Sequence, residues 1–421
     1  MQEWHEGPAH KQAERTTIVS TAYGEPHEYQ RTLAGATVLQ IVPTLHNDPV
    51  GRTAIAVAQM LLHSGARAIV ASDEGPLVAE LRARGGEWVL LRNDTSNLFR
   101  LRGNARQLEQ LCVGERIDII HAQSAGAAWS ALAAIARSPV WLVTTLPDVP
   151  PTDSRLRAFF HSGLTRGDRI VATSAYAAAP MVERYRIPRE RVRIAPRCID
   201  TAQFDPSAVA QERIAAVRRS WSVAEGERIV LLPGRVARWN GHMTLVDAVE
   251  ILADHGLRGV SFVLAGDDSS NRRYARSVRK RAQARYVDSI IRMTGPCRDM
   301  PAAYAAAEII VLPALEPPAT GRIAAEAQAM ARPVIASSIG PLPENVLVPP
   351  RMAEQLRTGW LVAPGEPAEL ARALTAALAL DDFAYQSLAA RARQFAEHMF
   401  SPQSVAANLC EVYTSILVRT A

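Results

Sequence analysis

The side chains best placed to do chemistry follow two predicted buried strands. Arg235 comes just after the strand of residues 228–233, and Glu316 lies in the acidic turn after the strand of residues 309–312. Ligands bind at the carboxyl ends of parallel strands, so both turns are expected at a binding site. A fixed cation there stabilises negative charge as it grows on a leaving group such as a diphosphate. Arg235 is therefore a candidate cation for an anionic ligand.

The composition is that of a globular protein with more than one domain. The chain has 421 residues, of which 48% are hydrophobic and 21% are charged. This length is too great for one ordinary core and predicts two domains of about 150–200 residues each. No apolar run is as long as the roughly 18 residues that a membrane-spanning helix needs. The polar residues 1–31 lack the apolar core of a secretory signal.

The basic charge comes almost entirely from arginine. There are 47 basic and 42 acidic residues, for a net charge of +5, and the only lysines are Lys11 and Lys280. A genomic preference for arginine codons is the favoured explanation, and binding of phosphate or anionic lipid by guanidinium groups is the functional alternative. Nothing resembles a nucleic-acid-binding module, so no nucleic acid is expected as a partner.

The cysteines indicate a reducing, cytoplasmic compartment. Cys112, Cys198, Cys297 and Cys410 are widely scattered, and none forms a pair with Cys or His at metal-binding spacing. This pattern argues against a structural zinc site.

Strands alternate with helices along most of the chain. Strands are predicted at residues 37–43, 68–72, 88–91, 117–121, 140–145 and 169–173, and a second series at residues 228–233, 261–266, 290–294, 309–312, 334–336 and 360–362. Such alternation gives parallel sheets with both faces covered by helices. The predicted fold class is α/β, with two Rossmann-like domains that face each other across a cleft.

The two series of strands set the predicted domain boundaries. Residues 1–34 are predicted to form a flexible tail, residues 35–200 an N-terminal Rossmann-like domain and residues 201–395 a C-terminal one. A hinge region is expected at residues 201–223. The last helix, within residues 396–421, is expected to return to the N-terminal domain.

Several motifs, in order along residues 36–418, resemble those of family 4 glycosyltransferases, which have the GT-B fold. They look closest to the bacterial enzymes that build cell-surface polysaccharide. Residues 168–174 and 187–200 are similar to the family's linker signature. Residues 234–242 look like its phosphate-binding loop, and residues 295–304 resemble its nucleotide-base loop. Residues 313–337 resemble the stretch that holds the nucleotide-sugar donor.

The resemblance implies a role for each candidate residue. The residues it implies at the reacting bond are Arg235, Arg238 and Glu316. The donor-binding residues it implies are Gly234, Asn240, Cys297, Glu326 and Glu344. The positions it implies near the acceptor are His121 and Pro147. No Asp-x-Asp pair stands at a strand end, so transfer without a metal or other cofactor is expected.

Several ligand-facing positions depart from the family's pattern. Relatives carry a lysine where this chain has Asn240, and a sugar-binding carboxylate where it has Pro318, eight residues before Glu326. The other departures are Asp48 and Pro49 in place of a Gly-Gly pair, Pro147 in place of a histidine, and Cys198 and Pro341 in place of glycines. A shift of one or two residues in variable loops is the alternative explanation. Because the departures cluster at ligand-facing turns, we expect weak or absent transferase activity.

Two hypotheses follow for the function. In the first, the protein transfers a sugar from a nucleotide-sugar to a glycan or lipid-linked acceptor, with retention of configuration. In the second, it is a catalytically silent binding or scaffold subunit that partners an active glycosyltransferase. A sugar-nucleotide epimerase of the same fold class is disfavoured, because the linker and base loops resemble family 4 more closely.

Two further features have alternative interpretations. His121, at the end of a predicted strand, either lines the cleft or is a core residue with its hydrogen bonds satisfied. The arginines of residues 272–285 form either a solvated helix face, which is favoured, or a contact with a membrane. Peripheral contact at the inner face of the membrane is thus one hypothesis for the location.

Overall fold

The computed structural model describes residues 33–93, 96–147 and 154–417. The chain divides into two compact units. The first contains residues up to Cys198 together with those from Pro402 onward, and the second contains residues 199–401. Each unit is built on its own parallel sheet. Residues 1–32 of the predicted tail lie outside the described residues.

The first unit contains a sheet of seven strands. Its elements up to residue 198 are β1 (Thr37–Thr44), α1 (Pro49–His63), β2 (Arg67–Asp73), α2 (Leu77–Ala83), β3 (Glu87–Leu90), α3 (Leu98–Gly114), β4 (Ile119–Ala122), α4 (Ala125–Ala134), β5 (Trp141–Thr145), α5 (Arg155–His161), β6 (Arg169–Ala172), α6 (Ala175–Tyr185) and β7 (Val192–Ile194). The strand order is β3-β2-β1-β4-β5-β6-β7. The chain order therefore reverses between β1 and β4.

The second unit contains a sheet of six strands. Its elements are α7 (Gln211–Ser220), β8 (Arg228–Pro233), α8 (His242–Asp254), β9 (Val260–Ala265), α9 (Arg272–Ala284), β10 (Ile291–Met293), α10 (Met300–Ala306), β11 (Ile309–Leu312), α11 (Arg322–Ala329), β12 (Val334–Ser337), α12 (Leu342–Asn345), β13 (Gly359–Val362), α13 (Pro367–Leu378) and α14 (Asp382–Phe400). The strand order is β10-β9-β8-β11-β12-β13. Here the reversal falls between β8 and β11.

Local sequence explains where these elements begin. The first six residues of β1 are buried, as expected of a parallel strand covered on both faces. Ser124 and Ser174 begin α4 and α6, because each serine hydroxyl accepts a hydrogen bond from a backbone N–H of the first turn.

The last helix, α15 (Pro402–Leu417), belongs to the first unit. It packs on α1, and its buried apolar residues, among them Val405, Leu409 and Ile416, join the core beneath β1 and α1. The first unit is therefore completed by the end of the chain.

The predicted α/β class with two Rossmann-like, parallel-sheet domains is confirmed. Two elements of the structure were not predicted by the sequence analysis. The short strand β7 lies within the stretch interpreted as a linker signature. Residues 201–223, expected to be a hinge region, contain α7, because Val217 and Trp221 pack into the core of the second unit. No helix in the described ranges is long and apolar enough to cross a membrane.

Candidate functional site

The candidate site lies where the strand order of the second sheet reverses. The connections after β8 and β11 leave in opposite directions, so a crevice forms beyond the carboxyl ends of these neighbouring strands. A small cavity of about 50 Å³, partly open to solvent, occupies this place. Residues from both strand ends, the loops after them and the start of α11 line it, including Pro233, Asn240, Ala314, Pro318, Gly321 and Ile323.

Glycines fix the loop of residues 234–242 beside the cavity. Gly234 and Gly241 have φ angles of 116° and 71°, which L-residues with a side chain rarely adopt. A β-carbon on Gly241 would also lie 1.7 Å from the carbonyl oxygen of Pro313. The carbonyl of Trp239 accepts a hydrogen bond from the backbone N–H of Leu315 at 2.7 Å. The loops after β8 and β11 are thus held against each other.

Arg235 and Arg238 are exposed on this loop. The Arg235 guanidinium carbon lies 6.0 Å from the ring centroid of Trp239, and that of Arg238 lies 6.0 Å from the ring centroid of Tyr274. Neither arginine forms a salt bridge with a carboxylate in the ranges that the structure describes. Hydrogen bonds from Ser269 and the Arg235 charge lower the pKa of Asp267, so Arg235 already lies near a carboxylate. Both guanidinium groups remain exposed to an anionic ligand.

Asn240 lies in the cavity wall and stabilises residues 234–242, the candidate phosphate-binding loop. Its amide nitrogen donates a hydrogen bond to the carbonyl of Arg235 at 2.7 Å. The family pattern has a lysine at this position. In this chain the neutral Asn240 side chain instead makes a hydrogen bond within the loop of residues 234–242. Its role toward a donor stays a prediction.

Glu326 is buried on α11, with only 5% of its surface exposed. One carboxylate oxygen accepts a hydrogen bond from Arg322 Nε at 2.5 Å, and the other accepts one from the Tyr304 hydroxyl at 3.1 Å. Burial raises the pKa of the Glu326 carboxyl, and the nearby Arg322 charge opposes that rise. Each carboxylate oxygen has two acceptor positions, so the network leaves acceptor capacity on Glu326, which is not among the residues that line the cavity.

The Tyr304 bond connects Glu326 to the candidate base loop. Tyr304 is the last residue of that stretch (residues 295–304), lies on α10 and is fully buried. Cys297 is half-buried in the loop and its thiol donates to the carbonyl of Asp299 at 3.5 Å. Burial raises the pKa of the Cys297 thiol, so it is not suited to be a nucleophile.

The remaining candidates of the second unit lie on loops at the same sheet edge. Glu316 is exposed two residues before Pro318, which lines the cavity. Pro317 packs close to Gly340, at the start of the turn that leads into α12. Glu344 lies on α12, two residues after the cavity-lining Leu342. The structure therefore brings Asn240 and Pro318 into one wall and places the other candidates on neighbouring loops and helices.

His121 lies in the core of the first unit. Its Nδ1 is 2.8 Å from the Tyr413 hydroxyl on α15, and its Nε2 is 2.8 Å from Thr145 Oγ1. Burial lowers its pKa to about 3, so the ring is neutral near pH 7. The interpretation as a satisfied core histidine fits these contacts. Pro147 is half-buried after β5, and residues 148–153 lie outside the described residues.

The start of α1 is closed by its own cap. Asp48 accepts a hydrogen bond from the backbone N–H of Gly51 at 2.8 Å, and Pro49 lacks an N–H. The Thr53 hydroxyl donates a hydrogen bond to the Cys198 sulfur at 3.1 Å. Cys198, which stands where the family pattern has a glycine, therefore packs beneath α1. A carboxylate thus already occupies the place where a helix start attracts an anion.

Two side chains of the site were missed by the sequence analysis. Arg322 stands four residues before Glu326, a spacing that places the two on one helix face and was visible in the sequence. Tyr304 gave no such signal, because its bond to Glu326 depends on the packing of α10 against α11. In the described ranges, no group of three or more His, Cys, Asp or Glu side chains is arranged to hold a metal ion.

Family models match both halves of the chain. Residues 227–379 match the model described as "Glycosyl transferases group 1", and residues 50–203 match "Glycosyltransferase Family 4". The D-inositol 3-phosphate glycosyltransferase of Pseudarthrobacter chlorophenolicus is 27% identical over 283 residues, which are 62% of this chain and 62% of that protein. The match therefore spans less than two thirds of this curated relative.

Solved structures are similar over most of the chain. The crystal structure of a glycosyltransferase from Rickettsia africae has a TM-score of 0.73 and 25% identity, covering 92% of this chain and 100% of that one. Anabaena HepE, solved in complex with UDP and glucose, has a TM-score of 0.64 and 20% identity, covering 90% of this chain and 100% of that one. At this identity HepE shows a likeness of fold alone.

Proposed function

Because the chain belongs to the family 4 glycosyltransferases and has their GT-B fold, we propose that it transfers a sugar from a nucleotide-sugar to a glycan or lipid-linked acceptor with retention. The observation that carries this proposal is the cavity beyond β8 and β11. The loop that contributes Asn240 to the cavity wall also carries Arg235 and Arg238, which are not among the lining residues and have no salt-bridge partner in the described ranges. We propose further that the transfer is weak.

The donor half of the site fits a nucleoside diphosphate. Transfer breaks the bond between the anomeric carbon and the diphosphate oxygen, and the electron pair leaves with the diphosphate. A bond forms between the anomeric carbon and the acceptor hydroxyl oxygen, whose proton passes to the departing diphosphate. Arg235 and Arg238 lie on the loop after β8, where their charges would stabilise that oxygen as it becomes negative. Glu326, held by Tyr304 and Arg322, would accept hydrogen bonds from ribose hydroxyls. These charges belong to the protein, so we propose transfer without a metal ion or other cofactor.

The weakness is proposed from two side chains in the cavity wall. The Asn240 side chain supplies no charge to the diphosphate, and the Pro318 side chain supplies no acceptor for a sugar hydroxyl. Glu316 stands two residues before the cavity-lining Pro318, and Glu344 stands two residues after the cavity-lining Leu342. We propose that one of these two carboxylates contacts the sugar.

The acceptor is proposed from the chemistry of the first unit. The relatives named D-inositol 3-phosphate glycosyltransferases are named for a phosphorylated acceptor. In this chain Asp48 already caps the start of α1 with a negative charge. Because that charge opposes binding of an anion there, we propose an uncharged glycan or the glycan end of a lipid-linked acceptor, in cytoplasmic assembly of cell-surface polysaccharide.

Binding of nucleotides tests the proposal most directly. Calorimetry with UDP, GDP and their sugars is expected to give micromolar affinity for at least one of them, and the same ligand should raise the melting temperature. Arg235→Ala is expected to weaken that affinity about 10- to 100-fold, because a charged hydrogen bond is lost. Arg372→Ala, which removes an exposed arginine of α13, is the matched control. A chelator should leave the affinity unchanged.

A silent scaffold subunit is the second candidate function. The observation that favours it is the same pair of cavity-wall residues, Asn240 and Pro318. On this hypothesis the protein partners an active glycosyltransferase. No heat change and no shift in melting temperature with any of the nucleotides would refute the transferase and support the scaffold.

A further inference from the structure

An ion pair joins α7 to the candidate base loop, residues 295–304. Arg213 lies in the first turn of α7, and Asp299 is the residue directly before α10. The Arg213 Nε donates a hydrogen bond to one Asp299 carboxylate oxygen at 2.9 Å, and its Nη2 donates to the other oxygen at 2.7 Å. Two parallel bonds of this kind fix the relative orientation of the two groups. The candidate base loop is therefore tied to an element that lies 86 residues earlier in the chain.

Asp299 also orders the candidate base loop from within. Its side chain accepts a hydrogen bond from the backbone N–H of Ala302 at 3.1 Å and so caps the start of α10. Its carbonyl accepts a hydrogen bond from the Cys297 thiol at 3.5 Å. The hydrogen bonds from Arg213 lower the pKa of the Asp299 carboxyl, so it is ionised at neutral pH. Arg213 therefore holds the one residue to which both ends of this turn are bonded.

Apolar packing supports the same region of the site. The helix α7 packs on α10, and Val217 of α7 and Ala303 of α10 belong to one buried core. The ring of Phe204, which precedes α7, has its centroid 6.0 Å from that of Tyr304. Tyr304 in turn donates a hydrogen bond to Glu326 at 3.1 Å. The helix α7 and the residues before it thus contact both the candidate base loop and the partner of the carboxylate proposed to bind the ribose.

Folding stability alone does not explain the ion pair. The side chains of Arg213 and Asp299 are 44% and 36% exposed. Exposed ion pairs contribute little to folding stability, because water screens both charges. Two fixed bonds to a surface loop have a larger effect on ligand binding, because a loop that is already ordered loses less entropy when the ligand binds. The geometry therefore favours a role in binding.

We propose that Arg213 is a positioning residue that sets the selectivity for the nucleotide base of the donor. By holding Asp299, it keeps the candidate base loop in the position that distinguishes one base from another, without contacting the base itself. This role rests on the proposed function, which supplies the nucleotide. It differs from the role of Arg235, whose charge acts on the diphosphate that all such donors share.

Calorimetry with UDP and GDP separates these two roles. The parent protein is expected to prefer one of the two nucleotides. Arg213→Ala should lower the ratio of the two affinities about five- to tenfold, because a loosened loop no longer favours the preferred base. Arg235→Ala should weaken both nucleotides alike and keep the ratio. Arg219→Ala removes another exposed arginine of α7 and should change neither affinity.

Two conservative substitutions test the ion pair from both of its ends. Asp299→Asn keeps an acceptor for the cap of α10 but removes the charge that Arg213 binds, so it should lower the ratio as Arg213→Ala does. Arg213→Lys keeps a positive charge without the two-pronged geometry and should recover part of the ratio. Melting temperatures should stay close to that of the parent protein, because the pair is exposed.

Alkylation of Cys297 measures the order of the loop without any nucleotide. Cys297 is half-buried, whereas Cys112, Cys198 and Cys410 are buried, so N-ethylmaleimide should modify Cys297 first in the folded protein. Arg213→Ala should raise this rate about fivefold, because a loop that is not held opens more often. Removing a positive charge does not increase the thiolate fraction, so a faster rate reports opening of the loop. Peptide mass spectrometry identifies the modified cysteine.

Three results would overturn the role of Arg213. The first is an equal loss of affinity for UDP and GDP in Arg213→Ala, and the second is an unchanged rate of Cys297 alkylation in that variant. The third is a change in the affinity ratio in Arg219→Ala equal to that in Arg213→Ala. Failure of the proposed function gives a different result, because the parent protein then binds neither nucleotide, and this refutes both proposals.

Discussion

Arg322 Nε lies 2.5 Å from a carboxylate oxygen of Glu326, one helical turn further along α11. Glu326 is nearly buried, whereas the Arg322 side chain is 56% exposed. Burial raises the pKa of the Glu326 carboxyl, and the positive charge of Arg322 lowers it. Arg322 therefore helps to keep a buried carboxylate ionised at the place where we propose a nucleotide ribose binds.

The first prediction concerns the pH dependence of nucleotide binding. Arg322→Leu removes the charge that lowers the pKa of Glu326, so the carboxyl should take up a proton at a higher pH than in the parent protein. Because the ionised form is the better acceptor of ribose hydroxyls, affinity should fall as pH decreases from about 8 to about 5, and the fall should begin at higher pH in the variant. Calorimetry across this range measures the shift.

Arg322→Lys is the control for that substitution, because it keeps a positive charge one turn from Glu326. It should retain most of the parent profile. Identical pH profiles for the leucine variant and the parent protein would show that Glu326 does not bind the ribose in its ionised form.

The second prediction concerns acid stability of the first unit. The pKa of His121 is lowered by burial from 6.5 to about 3. The unfolded chain therefore takes up a proton below about pH 6.5 that the folded chain refuses, and stability is lost as pH falls. The loss should be about 2 kcal/mol at about pH 5.

His121→Gln should remove this part of the pH dependence, since glutamine does not titrate and can still bond to Tyr413 and Thr145. Hydrogen exchange of the β4 amides at about pH 7 and about pH 5 reports on the first unit alone. His63→Gln, at an exposed histidine, should keep the parent pH dependence. An unchanged pH dependence in His121→Gln would mean that His121 is not buried in its neutral form.

Much of the fold could be predicted because its strands are continuous apolar runs. β1 and β11 are buried along nearly all of their length, so sequence alone indicates a strand covered on both faces. β7 was not predicted, because its three residues alternate in burial and an arginine stands at the centre. The helix α7 was missed because only Val217 is buried among its ten residues.

The candidate site was predictable only where its residues are neighbours in sequence. The glycine-rich loop and its two arginines follow directly after β8, so their position at the sheet edge could be inferred. The bonds of His121 to Tyr413 and of Glu326 to Tyr304 join residues far apart in the chain. No pattern of spacing predicts them, since they depend on where α15 and α10 pack.

The third prediction concerns the cap of α1. Asp48→Ala removes the acceptor of the Gly51 N–H and should lower the free energy of unfolding of the first unit by about 1 kcal/mol. Asp48→Asn keeps the cap but removes its charge, so it should retain nearly all of that stability. Urea unfolding of the three proteins makes the comparison. Equal losses in both variants would show that the charge, and not the cap, stabilises α1.

The last prediction concerns Asn240 and Pro318, the cavity-wall residues from which we infer a weakened site. Asn240→Lys adds a cation beside the proposed diphosphate, and Pro318→Glu adds an acceptor for sugar hydroxyls. One preorganised charge contact changes a rate about 10²- to 10³-fold, so the double variant should gain at least about 10²-fold in kcat/KM over the parent protein. Turnover of UDP- and GDP-sugars with glycan acceptors is the measurement.

The single variants separate the two contributions. Asn240→Lys also loses the hydrogen bond to the Arg235 carbonyl, so its melting temperature must be compared with that of the parent protein. Asn240→Leu loses the same bond without adding charge and should gain no activity. Robust turnover by the unmodified protein with an ordinary nucleotide-sugar would overturn the prediction, because a site already complete has no missing charge to restore. Glu316, exposed two residues before Pro318, would then be the carboxylate that contacts the sugar.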